Sequence, residues 1–125
     1  MTDSQRKILI IDDEICLLKS LVAFFEDEGF TVRWAVSGED GLEILKFEQM
    51  DAVIVDMRLP GIDGNETVVK AHALQPSLQF LIHTGSTDYQ LPPPLRELGI
   101  SPEAIFLKPL TDLSILSQAV RGAYC

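Results

Sequence analysis

The stretch ILIIDDE, residues 8–14, joins four consecutive apolar residues to three acids. A second stretch, AVIVD at residues 52–56, has the same form, and residues 80–82 and 105–107 are further short apolar runs followed by polar residues. Continuous apolar runs of this length predict strands that are buried on both faces. Such strands are typical of parallel sheets. These runs therefore predict four buried strands of one parallel sheet.

A fifth strand is predicted at residues 30–34, where apolar and polar residues alternate. Phe30, Val32 and Trp34 would share one face, while Thr31 and Arg33 would face water. Alternation of this kind is typical of an edge strand with one wet face. Trp34 is interpreted as packing on that edge, with no function of its own.

Helical periodicity separates the strands. The first predicted helix has one apolar face formed by Ile15, Leu18, Val22 and Phe25, and Gly29 is placed to end this helix. Further helices are predicted to begin at Ser37 (with Asp40), at Asn65 (running to about Leu74) and at Asp112. Residues 92–94 are three prolines, so any fourth helix is short, begins at them and ends at Gly99.

This element order predicts an α/β fold, a doubly wound parallel sheet with right-handed crossovers and helices on both faces. The 125 residues suit a single domain, with a core at about residues 7–123. Cys16 and Cys125 are the only cysteines and predict no disulfide. No apolar run is long enough for a membrane span, so a cytoplasmic protein is expected.

Charge narrows the range of partners. Ten basic residues against 19 acidic ones give a formal net charge of −9. Direct binding to nucleic acid needs a basic face, which this composition does not favour. We therefore expect no direct contact with nucleic acid.

Each predicted buried strand ends in polar residues. Asp12 and Asp13 follow the first, Asp56 the third, Thr84 the fourth and Lys108 the last. Ligands of open parallel sheets bind outside these carboxyl ends, so the five side chains should converge. Clustered carboxylates need a cation, and oxygen ligands alone favour Mg²⁺ or Mn²⁺. Such a pocket suits phosphoryl transfer, with a carboxylate as the nucleophile.

Five motifs at strand ends resemble the response-regulator receiver domain of two-component systems, over residues 7 to 123. They are Asp12-Asp13, Asp56, Leu59-Pro60-Gly61 with Asp63-Gly64, Thr84-Gly85 and Lys108-Pro109. The resemblance implies a flavodoxin-like strand order of 2-1-3-4-5. It also implies a domain that catalyses only its own phosphorylation and dephosphorylation. The partners implied are a sensor histidine kinase or phosphotransfer protein and a downstream protein, with the domain a monomer or weak homodimer.

The resemblance also implies roles for individual residues. Asp56 would accept the phosphoryl group, and Lys108 and Thr84 would bind it. Asp13 and Asp56 would ligate the metal directly, Asp12 through water, and the Met57–Arg58 backbone would supply a carbonyl, assigned to Arg58. The residues expected to modulate the site are Met57, Arg58, Gly85, Ser86, Ile105 and Pro109, with Arg58 and Ser86 tuning dephosphorylation. The bond to Pro109 is expected to be cis.

Two features depart from the family pattern. Ile105 stands where receivers usually carry Tyr or Phe, and Phe106 should point to the opposite face. The triple proline disturbs the fourth helix. Both suggest an unusual signalling face or a relay role, and they leave a phosphorylation-independent pseudo-receiver as an alternative. An aspartyl-phosphate phosphatase is disfavoured because Arg58 occupies the position of its second acid, and no Gly-rich loop supports nucleotide binding.

Overall fold

The computed structural model describes residues 6–122, and within them five strands form one sheet. The strands are β1 (Lys7–Ile11), β2 (Thr31–Ala35), β3 (Ala52–Val55), β4 (Gln79–Thr84) and β5 (Ile105–Leu107). Their order is β2-β1-β3-β4-β5, and every neighbouring pair is parallel. This confirms the fold class and strand order expected from the sequence.

Five helices connect the strands or follow them. They are α1 (Ile15–Asp27), α2 (Gly38–Phe47), α3 (Gly64–Leu74), α4 (Pro93–Glu97) and α5 (Ser114–Gly122), and a 3₁₀ turn spans Pro102–Ala104. The short α4 begins at the prolines as predicted. Gly29 and Gly99 follow α1 and α4 with φ of 94° and 91°, a left-handed conformation that favours glycine. No helix in the described part of the chain is long and apolar enough to cross a membrane.

The helix starts agree with the sequence in two cases and differ in one. The Ser37 hydroxyl accepts a hydrogen bond from the Asp40 amide, and the Asp112 carboxylate accepts one from the Ser114 amide. For α3 the prediction of Asn65 as the cap is wrong, because Asp63 accepts from the Glu66 amide. Both residues are good caps, and the observed helix begins two residues earlier than the sequence pattern suggested.

The sheet separates two apolar layers. One layer packs α1 and α5 against the sheet, and the other packs α2, α3 and α4. Alternation along the strands assigns neighbouring residues to opposite layers. Ile105 accordingly packs with the α2–α4 layer and Phe106 with the α1–α5 layer, as the sequence predicted.

Three predictions of burial are wrong at the margins of the fold. Leu107 is 44% exposed, because β5 is an edge strand and its run is not buried on both faces. Trp34 is 55% exposed at the opposite edge, so it does not pack into the core. Ile15 is 47% exposed, and Leu21 takes its place on the buried face of α1.

The side chain of Gln75, at the end of α3, forms hydrogen bonds with α2 and with the segment between α2 and β3. Its amide nitrogen donates to the carbonyls of Leu45 and Glu48, at 2.9 and 2.7 Å, and its amide oxygen accepts from the Met50 amide at 3.0 Å. The side chain is 6% exposed. Three backbone groups therefore depend on one buried amide for their hydrogen bonds.

We expect Gln75→Met to lower the free energy of unfolding by about 2–4 kcal/mol, because buried backbone groups would lose their partners with little change in volume. Urea denaturation measures this change. Gln90→Met, at an exposed position, is the matched control and should change stability by less than about 0.5 kcal/mol. Equal stability of the two variants would contradict the structural role of Gln75.

Candidate functional site

The register of the sheet places the strand-end acids side by side. Ile11 of β1 pairs with Val55 of β3, so Asp12 and Asp56 follow at the same level. Thr84 of β4 pairs with Leu107 of β5, so Lys108 follows one step further along. Residues far apart in the sequence therefore meet at the carboxyl edge of the sheet, as the sequence predicted.

The three aspartates form a compact cluster of oxygen ligands. One carboxylate oxygen from each of Asp12, Asp13 and Asp56 lies within 4.8 Å of the others. Asp12 and Asp56 are buried, and Asp13 is exposed to solvent. Carboxylate oxygens that converge at a solvent-accessible site fit a hard divalent cation that keeps some of its waters. The donor set is therefore compatible with the predicted metal.

Lys108 is the cation that the structure places among these acids. Its Nζ lies 2.9 Å from Asp12 Oδ2, 3.1 Å from Asp56 Oδ2 and 2.6 Å from Glu14 Oε1. The Lys108 side chain is only 11% exposed. A largely buried ammonium with three carboxylate partners is strongly oriented, so its position beside Asp56 is well defined.

The electrostatics of the site follow from burial and from this ion-pair network. Burial raises the pKa of Asp12, against hydrogen bonds from the Glu14 amide and Lys108 that lower it. Burial alone would lower the pKa of Lys108, but its bonds to Glu14 and Asp12 and the charges of Asp12 and Asp56 raise it above the ordinary value. Lys108 therefore stays protonated at neutral pH.

Glu14 is a site residue that the sequence interpretation did not include. Its hydrogen bond to Lys108 is the shortest of the three, and this bond lowers the pKa of Glu14. The acid run at residues 12–14 was visible in the sequence. Its third member was assigned no role because spacing alone does not show which of three adjacent acids turn toward the lysine.

The backbone after Asp56 is held close to the site. The Arg58 amide donates to Asp56 Oδ1 at 3.1 Å, and the Gly64 amide donates to the Met57 carbonyl at 3.2 Å. A Cβ at Gly64 would lie 2.4 Å from the Asp56 carbonyl oxygen, so only glycine permits this approach. The Arg58 carbonyl as a metal ligand stays a prediction.

A pocket of about 580 Å³ opens over Asp56. The residues that line it are Asp13, Glu14, Leu17, Asp56, Arg58, His83, Gly85, Lys108, Pro109, Leu110 and Leu113. The Lys108–Pro109 bond is cis, in agreement with the prediction. The pocket thus has an acidic half around Asp56 and an apolar wall contributed by α1 and the segment that leads into α5.

Thr84 stands apart from the other predicted site residues. It is fully buried and is absent from the set of described residues that line the pocket. Its Oγ1 accepts a hydrogen bond from the Ser86 amide at 3.2 Å. In this conformation the Thr84 hydroxyl is therefore bonded to its own loop. Its predicted contact with a phosphoryl group requires a movement.

His83 of β4 lies beside the acidic cluster and is 2% exposed. Neither ring nitrogen forms a hydrogen bond with any residue that the structure describes. The pKa of His83 is lowered to about 4, mainly by burial and to a smaller extent by the positive charge of Lys108. The imidazole is therefore neutral at physiological pH.

Together, the fold and the pocket define a doubly wound α/β protein with a cluster of three aspartates and a lysine at the carboxyl edge of its sheet. Residues 8–120 match the family model described as the response regulator receiver domain. The chain belongs to this family. The match covers all five strands and the acidic cluster, so the resemblance seen in the sequence is confirmed.

Individual relatives agree with this assignment. The chain is 30% identical over 115 residues to sporulation initiation phosphotransferase F of Bacillus subtilis, covering 92% of this chain and 90% of that protein. It is also 30% identical over 115 residues to the transcriptional regulatory protein YesN of Bacillus subtilis, covering 90% of this chain. The chain spans 31% of YesN and 19% of the Escherichia coli regulator GlrR, so it is much shorter than several of its relatives.

Solved structures show the same fold. A CheY-like receiver domain from Methanospirillum hungatei matches with a TM-score of 0.80 at 26% identity, over 94% of this chain and 93% of that one. The Thermotoga maritima response regulator TrrA, solved in complex with Mg(2+)-BeF, matches with a TM-score of 0.80 at 22% identity, over 94% and 98% of the two chains. Because its identity to this chain is only 22%, the match to TrrA supports a shared fold and nothing further.

The lowered pKa of His83 predicts a pH dependence of stability. Its folded-state pKa of about 4 lies below the ordinary value of 6.5, so the unfolded chain binds more protons between these pH values. Stability due to this group is present above pH 6.5 and falls as the pH drops toward 4, by roughly 1.4 kcal/mol per pH unit at most.

His83→Met removes this pH-dependent loss of stability. The difference in unfolding free energy between the variant and the parent isolates the loss from the effects of the aspartates that both proteins share. Urea denaturation at a series of pH values, with a chelator present, measures the difference. At pH 7 the variant should be at least as stable, because it has no unpartnered nitrogens. Parallel stability profiles for the two proteins between pH 6.5 and 4 would contradict the lowered pKa.

Proposed function

We propose that the chain is the phosphoacceptor switch of a two-component phosphorelay, in which Asp56 accepts a phosphoryl group from a phosphohistidine. The observation that carries the proposal is the placement of Lys108 Nζ 3.1 Å from Asp56 Oδ2, beside the cluster of three aspartates. A carboxylate nucleophile, a fixed cation and a set of oxygen ligands are the components that phosphoryl transfer requires.

In the proposed reaction an Asp56 carboxylate oxygen forms a bond to phosphorus while the phosphorus–nitrogen bond of the donor histidine breaks. Lys108 is oriented to neutralise charge on the transferred phosphoryl oxygens. Asp12, Asp13, Asp56 and the Arg58 carbonyl would hold a Mg²⁺ or Mn²⁺ ion. When bound, this ion supplies charge neutralisation for the acids and the phosphoryl group. TrrA, which shares the fold, was itself solved in complex with Mg(2+)-BeF.

The proposed signal is a change of partners around the phosphoryl group. Lys108 would exchange its present contact with Asp56 for a phosphoryl oxygen. Thr84 would turn its hydroxyl toward the same group, away from its loop bond to the Ser86 amide. Both changes move segments at the carboxyl edge of the sheet, where a downstream protein can detect them.

A sensor histidine kinase or a phosphotransfer protein is the proposed donor. The similarity to sporulation initiation phosphotransferase F, which extends over 90% of that protein, supports a phosphotransfer partner. The net charge of −9 disfavours direct contact with nucleic acid. We propose a cytoplasmic monomer or weak homodimer that signals to another protein.

We further propose that the chain does not turn over an external substrate. The second residue after Asp56 is Arg58, which lines the pocket. A phosphatase of the aspartyl-phosphate type would use an acid at this position to protonate its leaving group. A guanidinium stays protonated and cannot serve as this acid, so catalysis is confined to phosphorylation and dephosphorylation of Asp56.

Incubation with a small phosphoryl donor such as phosphoramidate, in the presence of Mg²⁺, should add the mass of one phosphoryl group to the intact protein. Asp56→Asn should gain none, because an amide is not a nucleophile here. A chelator should abolish the gain in the parent, and Asp13→Asn should reduce it by at least about tenfold, as expected for loss of a metal ligand.

Asp63→Asn is the matched control, since Asp63 is exposed and caps α3 without joining the cluster. It should be phosphorylated as readily as the parent. A parent that gains no phosphoryl group, or an Asp56→Asn variant that still gains one, would exclude Asp56 as the acceptor.

A further inference from the structure

One side-chain hydrogen bond joins the segment after β4 to the start of α3. The Tyr89 hydroxyl, in the segment between β4 and α4, donates to Asn65 Oδ1 in the first turn of α3 at 2.6 Å. Burial, together with the negative charge of Asp63, raises the pKa of Tyr89 to about 12, so the hydroxyl keeps its proton. We refer to this contact as the Tyr89–Asn65 tie.

The tie connects to the predicted phosphoryl ligand Thr84 on one side. The Ser86 amide donates to Thr84 Oγ1 at 3.2 Å, and the Tyr89 amide donates to the Ser86 carbonyl at 3.3 Å. Thr84, Ser86 and Tyr89 therefore form one hydrogen-bonded turn. Turning the Thr84 hydroxyl into the pocket would break its bond to the Ser86 amide, in the same turn that holds the Tyr89 backbone.

On its other side the tie connects to the phosphoacceptor. Asn65 follows Gly64, whose amide donates to the Met57 carbonyl at 3.2 Å. The Gly64 backbone also lies directly against the carbonyl oxygen of Asp56. The start of α3 is therefore fixed to the segment that carries Asp56, and it gives Tyr89 a firm anchor.

A pocket of about 260 Å³ adjoins the Tyr89 ring, and Ile105 is among the residues that line it. Ile105 occupies less volume than the aromatic residue expected at this position. A Tyr89 ring released from Asn65 thus has space beside it.

We propose that Tyr89 is a positioning residue that holds Thr84 away from the pocket until Asp56 is phosphorylated, when the Tyr89–Asn65 tie breaks. This inference rests on the proposed phosphoacceptor function. The tie stabilises the unphosphorylated arrangement of the loop and opposes the movement of Thr84. Its loss couples the chemistry at Asp56 to α3 and to the segment that leads into α4, which the tie links.

The test uses beryllofluoride with Mg²⁺ as a phosphoryl mimic, and it measures the affinity of each variant by fluorescence or calorimetric titration. Tyr89→Phe removes the hydroxyl alone. It should bind the mimic about two- to tenfold more tightly, because one net hydrogen bond no longer opposes the loop movement. Unfolding of the unliganded variant should occur at a lower urea concentration than in the parent. A purely structural tyrosine would lower both affinity and stability.

A double-mutant cycle identifies the partner of Tyr89. Asn65→Ala should tighten binding by a similar factor, and the double variant should gain nothing further. Ser117→Ala is the control, since it removes a buried hydroxyl on α5, on the opposite side of the sheet. It should leave the affinity for the mimic unchanged.

A ¹⁹F spectrum reports the tie directly. The chain has two tyrosines, so 3-fluorotyrosine labelling gives two signals, and Tyr124→Phe assigns the one from Tyr89. Saturation with the mimic should shift the Tyr89 signal. The proposed role of Tyr89 is wrong if the parent binds the mimic but Tyr89→Phe binds it no more tightly, or if the Tyr89 signal does not shift. In either case the proposed phosphoacceptor function is unaffected. If the parent itself binds no mimic, both proposals fail.

Discussion

The ammonium group of Lys108 lies within hydrogen-bond distance of carboxylates from two separate strand ends, and Asp56 is 52 residues away from it in the sequence. Asp12 and Asp56 are both buried and repel each other, so they can share one hollow only with a cation between them. The lysine provides that cation in this structure. The parallel register of β1, β3, β4 and β5 is what delivers these side chains to one place, so the site depends on the sheet as much as on its own residues.

Much of this arrangement could be predicted from the sequence. The apolar runs predicted four of the five strands, and the polar residue after each run marked the carboxyl edge of the sheet, where the pocket lies. The reason is physical: a strand buried on both faces must be apolar throughout, so its ends are visible in the sequence. The short α4 was also predictable, because consecutive prolines restrict where a helix can begin.

Other features depend on tertiary contacts that no local pattern carries. Leu107 is exposed because it lies on an edge strand, and a short apolar run does not reveal whether its strand has one neighbour or two. Asp63 and Asn65 are both good caps, and only the position of α3 against Asp56 distinguishes them. The bond between Thr84 Oγ1 and its own loop, and the contact of Glu14 with Lys108, depend on rotamers that the sequence does not fix.

The proposed phosphoacceptor function depends most directly on Asp12, Asp13 and Asp56 forming one cation site. Titration of the ¹⁵N-labelled protein with a small amount of Mn²⁺ tests it, because a bound paramagnetic ion broadens nearby amide signals. We expect the signals of residues 12–14 and 56–58 to broaden first, with excess Mg²⁺ restoring them. Broadening that begins instead at another acidic segment, such as residues 26–28, would contradict the site.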